Sequence, residues 1–245
     1  MNNPGNQPIR RFSIGRIIEH QLNALLFILL VLTGLSQRFH DYSTAHWVIM
    51  KLGGVDTTRL IHRYSGLLFT LLCTVHIVSA SLGVLLKKFP PSMIITLHDF
   101  TDAVDNIKYY FGISNEPAHC ARYDYKQKFE YWGVLMGGAL MIGTGLVLWF
   151  PVLVTHFMPG ELIPAAKAAH TNEALMAFLI IIVWHIYGSI FSPEVFPLDT
   201  AIFTGFISRE RMVHEHPLEL AQIEGKPLAE ILGHRDSAPE ITSHT

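Results

Sequence analysis

Residues 67–86 contain no charged side chain, and His76 is the one histidine among them. A run of about 20 such residues matches the hydrocarbon thickness of a bilayer. In that solvent a single segment must satisfy its own backbone hydrogen bonds, which leaves the α-helix as its conformation. Four runs in the chain have this length and polarity: residues 17–35, 60–86, 129–154 and 169–191. Half the residues are hydrophobic and 16% are charged, where a soluble domain carries about 25% charged residues. Short connections make successive runs antiparallel neighbours. The expected fold is therefore all-α, an integral membrane four-helix bundle.

The connections carry an orientation signal. Thirteen Lys and Arg residues lie in the N-terminal arm (Arg10, Arg11, Arg16), in the 87–128 loop and in the tail, against five in the opposite loops (Arg38, Lys51, Arg59, Arg63, Lys167). Positive residues stay on the cytoplasmic side, so both termini are expected there. The arm is polar and has no cleavage-site pattern, so the first run reads as a retained span. The chain divides into a transmembrane region, residues 1–192, and a cytoplasmic tail, residues 193–245. Within the 87–128 loop, Phe100, Val104, Ile107 and Phe111 fall on one helical face over residues 97–111 and Asp99, Asp102 and Asp105 elsewhere, as in a helix lying on a membrane surface or a partner. In the tail, residues 208–214 read as a short helix and residues 236–245 as disordered. A net charge of −2 gives no sign of nucleic acid binding. Cys73 and Cys120 lie far apart in unlike surroundings and form no CxxC or CxxCH motif.

Five of the fourteen histidines fall in or at the ends of the apolar runs. His62 and His170 open the second and fourth runs on the outer side. His76 and His185 lie 14 and 15 residues further along, about 21 and 22 Å deeper. His20 stands at the inner entrance of the first run. An ionisable group at such depth is costly and marks a functional site. Each level offers two or more imidazoles from different helices, the arrangement that clamps a haem iron on both axial sides. Neutral imidazole coordinates without adding charge to a low-dielectric interior. The competing readings are packing, a non-haem metal site and a proton or ion relay. A relay calls for intramembrane carboxylates, and Glu19 is the candidate. No HExxH motif is present. His40, His46, His98, His119, His156, His214, His216, His234 and His244 fall in loops and tails and are expected in solvent.

With these features in hand, the chain resembles the gamma, or cytochrome b, subunits of bacterial respiratory formate dehydrogenases and the related subunits of hydrogenases and thiosulfate reductases. The resemblance spans residues 10–218. It rests on His20 with Thr33-Gly34 downstream, Arg59-Leu-Ile-His62-x-x-x-Gly66, Tyr123-Asp-Tyr-Lys-Gln127-Lys128, Thr144-Gly-Leu-Val-Leu-Trp-Phe-Pro151, His170, His185, and Gly205-Phe-Ile-Ser-Arg209 followed by His216-Pro217. It implies two b haems, one held by His62 and His170 and one by His20 and His185. It places a quinone, menaquinone or ubiquinone, near Asp124 and Gln127 beside the inner haem. Arg59, one turn before His62, is then suited to a haem propionate, or serves as an interface anchor.

The chain departs from the family pattern in three places. Asp124 replaces an Asn and could donate or accept the protons of quinone chemistry. The His170–His185 interval is 15 residues rather than 14, turning His185 by about 100°. His76 is an additional histidine at the inner level: depth favours it as the partner of His185, and the family pattern favours His20. Expected partners are a periplasmic iron–sulfur or multihaem cytochrome c subunit, the quinone pool and membrane lipid. A haem-bearing structural anchor without quinone chemistry, and a histidine-based transporter or sensor, remain as alternatives.

Overall fold

The computed structural model describes residues 7–193 and 195–233. The expected disorder of residues 236–245, and His234 and His244, lie outside them. Four helices are long and apolar enough to cross a membrane: α1, Ile14–Arg38; α3, Val55–Leu85; α5, Tyr125–Trp149; and Leu162–Phe191. The last comprises α7, Leu162–Ile180, continued by two π-helical segments, Ile181–His185 and Tyr187–Phe191. The short helix α2, Ser43–Lys51, lies between α1 and α3. The chain reverses after α2 through Gly53 and Gly54, both at positive φ (96° and 94°), which glycine adopts without the Cβ clash of other residues.

Prolines set two of the boundaries that differ from the sequence expectation. α5 stops at Trp149 rather than continuing to 154, because Pro151 disfavours helical geometry at residue 150. Pro151 instead opens the short helix α6, Pro151–Thr155, where its missing N–H costs nothing. α7 begins at Leu162 rather than 169. Pro164 falls in its first turn, where proline is tolerated, and an alanine-rich stretch carries the helix on.

The described residues form two compact units, one of residues 14–90 and 132–199, the other of 7–13, 91–131 and 200–233. In the first unit α1 packs chiefly on α3. Its closely packed positions are mostly small or polar, including Thr33, Ser36, Thr58, Ser65 and Gly83, while most of its large apolar side chains face outward, Leu26 and Ile49 excepted. That is the pattern of helices in lipid, where close approach rather than apolar burial drives association.

The second unit gathers the arm, the 87–128 loop and the tail. Strand β1, Ile9–Arg10, pairs antiparallel with β2, Phe206–Ile207. β2 follows α8, Ala201–Thr204, which Gly205 ends in the left-handed conformation. Helices α9, Arg209–Glu215, α10, Pro217–Glu224, and α11, Leu228–Gly233, close a core of Ile207, Met212, Val213, Leu220 and Ile231, against which Ile9 packs. Arg11 and Arg122 both pair with Glu219. His216 was expected in solvent but is 3% exposed. Its Nδ1–H donates to the Ala121 carbonyl (2.7 Å) and Nε2 accepts from Arg11 (3.0 Å). Burial, reinforced by Arg11, lowers its pKa to about 3.

The amphipathic segment of the loop forms α4, Leu97–Tyr110. Thr96 and Asp99 make a capping box at its start. Its polar face is the buried one. Asp99 bonds Lys128 Nζ (2.7 and 3.0 Å), and Asn106 Oδ1 accepts from the Ala118 amide (2.8 Å). Leu97, Phe100, Val104, Ile107, Tyr110 and Phe111 are all more than half exposed.

Candidate functional site

Four of the five candidate histidines form two facing pairs in the membrane unit. The His62 and His170 ring centres are 6.2 Å apart with planes at 77°, and those of His20 and His185 are 6.0 Å apart at 31°. An ion bound at about 2 Å from a nitrogen of each ring would separate the ring centres by on the order of 6 Å. The spacing of both pairs is therefore one at which the two rings of a pair could hold a metal ion between them.

Threonines orient the first pair. Thr33 Oγ1 donates to the Leu29 carbonyl (2.6 Å) and lies 2.8 Å from His62 Nδ1. Thr144 Oγ1 donates to the Leu140 carbonyl (2.7 Å) and lies 2.9 Å from His170 Nδ1. A hydroxyl has one proton to give. With that proton on the carbonyl, its oxygen accepts from the imidazole Nδ1–H, which leaves the Nε2 lone pair of each ring available to a metal. The neighbouring glycines leave room for the rings. A Cβ on Gly34 would meet His62 Cε1 at 3.1 Å, and one on Gly145 would meet His170 Cε1 at 3.4 Å. Thr144 also borders an apolar groove of about 400 Å³ between α5 and α7, lined by Ala139, Gly143, Ala165, Ala166 and Ala169 among others.

The second pair depends on the π-helical turn. Fifteen residues of unbroken α-helix would offset His185 from His170 by about 60°. A π turn accommodates one extra residue within an α-helix. The widened segment Ile181–His185 thus makes the interval equivalent to 14 α-helical residues, and His185 meets His20. His76 sits elsewhere: its Nδ1 is 2.5 Å from Glu19 Oε1 and 3.0 Å from Arg16 Nη1, and Arg16 donates to Glu19 Oε2 at 2.7 Å.

Of the remaining candidates, Arg59 and Gln127 are exposed and Asp124 is half-buried. Arg59 has its guanidinium 3.7 Å from Asp56 and more than half exposed. Asp124 and Gln127 cap α5 reciprocally: the Gln127 amide donates to Asp124 Oδ1 (2.7 Å) and the Asp124 amide to Gln127 Oε1 (3.2 Å). This D-x-x-Q spacing is a capping box, which the sequence reading missed. Burial raises the Asp124 carboxyl above its ordinary range, opposed by the Gln127 amide.

Sequence reasoning quoted the two Thr-Gly pairs only as family markers; their recurrence in two spans that pack near histidines was the available signal. It also overlooked Glu173, a carboxylate within the fourth span, in naming Glu19 the relay candidate. Gly137 makes room for Glu173, since a Cβ there would come within 2.6 Å of its Oε1. Among the described residues no group of three or more His, Cys, Asp or Glu could hold a metal ion.

Four apolar helices with paired imidazoles inside the bundle define an integral membrane protein of the haem-binding class. Comparison with known families places it further: residues 11–205 match the family of prokaryotic cytochrome b561. The chain belongs to that family and is a multi-pass membrane cytochrome b of electron transport, with haem b as its cofactor. It is also 23% identical over 211 residues to the formate dehydrogenase cytochrome b556(fdo) subunit of Escherichia coli K12, covering 85% of this chain and 90% of the relative. The O6:H1 and O157:H7 strains have relatives of the same name at the same identity and coverage.

Proposed function

We propose that this chain is the di-haem cytochrome b subunit of a respiratory oxidoreductase complex, carrying electrons across the bacterial inner membrane between a periplasmic partner and quinone. The observation that carries the reading is the pair of facing imidazole sets in one bundle, 6.2 and 6.0 Å apart. His62 and His170 would hold the outer haem b, and His20 and His185 the inner one. Haem supplies one-electron redox chemistry at each level. The protein's part is to fix the rings in the coordinating tautomer, through Thr33 and Thr144, and to keep iron in a low-dielectric interior.

The Lys and Arg distribution supports cytoplasmic termini. It leaves residues 38–59 and 154–167 to receive a periplasmic iron–sulfur or multihaem cytochrome c subunit. The name of the Escherichia coli relatives supports a formate dehydrogenase complex as its setting. Asp124 and Gln127 are the residues for menaquinone or ubiquinone on the cytoplasmic side; a carboxyl of raised pKa there is suited to exchange protons with the ring. The exposed apolar face of α4, with Lys87 and Lys88 upstream, fits a lipid surface.

The deciding experiment is haem quantification on the purified protein with a dithionite-reduced minus oxidised spectrum. Two b haems per chain are expected; one, or none, overturns the reading. For the quinone site, a quinol analogue should shift the redox behaviour of the inner haem, and Asp124→Asn should weaken that shift. An unshifted haem would favour an anchor without quinone chemistry.

A further inference from the structure

Arg38 closes α1, and the two ends of its guanidinium have different surroundings. Nη2 donates to Asn172 Oδ1 on α7 at 3.1 Å, and the guanidinium carbon lies 5.4 Å from the Phe39 ring centre. Nη1 is buried and has no hydrogen-bond partner among the described residues. Arginine cannot shed its proton to escape such a position, and its planar fork matches a carboxylate. A buried guanidinium donor without an acceptor is a place for an anion.

Its position identifies which anion. Asn172 stands two residues past His170. Thr33, which orients His62, lies five residues before Arg38 on the same helix, about 7.5 Å along its axis. Arg38 at the end of α1 therefore links the two helices that bear Thr33 and His170, within a few residues of that histidine pair in sequence. Arg59 is exposed and close to Asp56 in its own helix. We propose that Arg38, oriented by Asn172, is a carboxylate-binding residue that holds a propionate of the haem carried by His62 and His170. This inference rests on the reading of that pair as a haem site.

A lipid phosphate could supply the same anion chemistry, so the test must separate the two sources. The full-length protein is placed in nanodiscs of phosphatidylcholine alone and of phosphatidylcholine with phosphatidylglycerol. Haem content and both midpoint potentials are measured for the unaltered protein and for Arg38→Gln, Arg38→Lys, Arg59→Gln and Asn172→Ala. A cation beside the haem disfavours the more positive ferric state. Arg38→Gln should therefore lower one potential, that of the haem absent from His62→Ala, by the equivalent of about a tenfold change in the reduction equilibrium. That shift should be the same in both lipids. Arg38→Lys should restore most of it, and Arg59→Gln should leave both potentials unchanged.

Unchanged potentials in Arg38→Gln, a shift in Arg59→Gln instead, or a shift confined to phosphatidylglycerol discs would each overturn the proposal. If Arg38→Gln does not assemble, Asn172→Ala decides: it keeps the charge but frees its direction, and an unshifted potential for the same haem sinks the idea. Absence of haem from the unaltered protein would refute the haem reading itself. Two haems with an unresponsive Arg38→Gln would refute only the role of Arg38.

Discussion

The two units of this chain are built for different solvents, and their interiors are opposite in character. The membrane unit buries Thr33, Ser36, Thr58 and Ser65 and turns most of its large apolar side chains outward. The other unit buries Met212, Val213, Leu220 and Ile231 around a small core and ties it with Arg11, Glu219 and His216. In lipid, apolar surface is no driving force between helices, so the polar and small positions carry packing and orientation. In water, apolar burial carries stability and the charged groups must be paired. In the first unit a buried hydroxyl serves its own helix, as Ser36 and Thr58 do, or reaches a site residue, as Thr33 does, whereas the buried charges of the second form a structural staple.

Substituting the histidines is the strongest way to break this contrast. His62→Ala or His170→Ala should remove one haem, and His20→Ala or His185→Ala the other. His76→Ala should retain both, because that ring is committed to Glu19. Haem content per chain is the readout, and loss of a haem in His76→Ala would reverse the assignment.

The staple in the second unit should fail without touching haem. Arg11→Ala leaves Glu219 buried with Arg122 as its one ionic partner among the described residues and should cost about 3–5 kcal/mol of local stability. Hydrogen exchange should then accelerate over 206–231 while haem content stays constant; a simultaneous loss of haem would mean the two units are not separable in this way.

Acid should probe the same unit. His216 is held neutral, with its pKa lowered by burial to about 3, against about 6.5 when unfolded. Between these values the unfolded state binds the extra proton. Stability is fully present above pH 6.5 and is lost as pH falls toward 3, by on the order of 4 kcal/mol. Exchange at Leu220 and Ile231 should rise across that window, and His216→Asn should flatten the dependence. A variant as acid-sensitive as the unaltered protein would exclude His216 as the cause.

The smallest expected effect lies in the membrane unit. Thr33→Val and Thr144→Val remove the acceptors at His62 and His170 Nδ1 and should weaken haem retention by about 10–100-fold without abolishing it. The rate of haem transfer to apomyoglobin measures this. An unchanged rate would show that packing against Gly34 and Gly145 alone orients the rings.

The membrane spans were legible in sequence because lipid imposes a length and a polarity on every crossing segment. The histidines were legible because few other residues of that kind appear there. The choice between His20 and His76 was not, since azimuth along the fourth span depends on the π turn at Ile181–His185, and nothing in IIVWH announces a wider helix. α4 was read correctly as amphipathic, but that its Asp99 and Asn106 face inward depends on Lys128 and Ala118, distant partners that periodicity does not reveal. The tail core was missed for a related reason: its apolar residues are scattered among charges, and Ile9 of the arm packs against it.

The pairing of β1 with β2 joins residues 9–10 to 206–207, across all four spans. During synthesis the arm emerges first and finds this partner only after the last span has been made. An even number of crossings is required to return the chain to the arm's side of the bilayer. The joint between arm and tail thus ties the fold to the count of crossings: a chain that skips one span would put Ile9 and Arg11 on the opposite side of the bilayer from their partners.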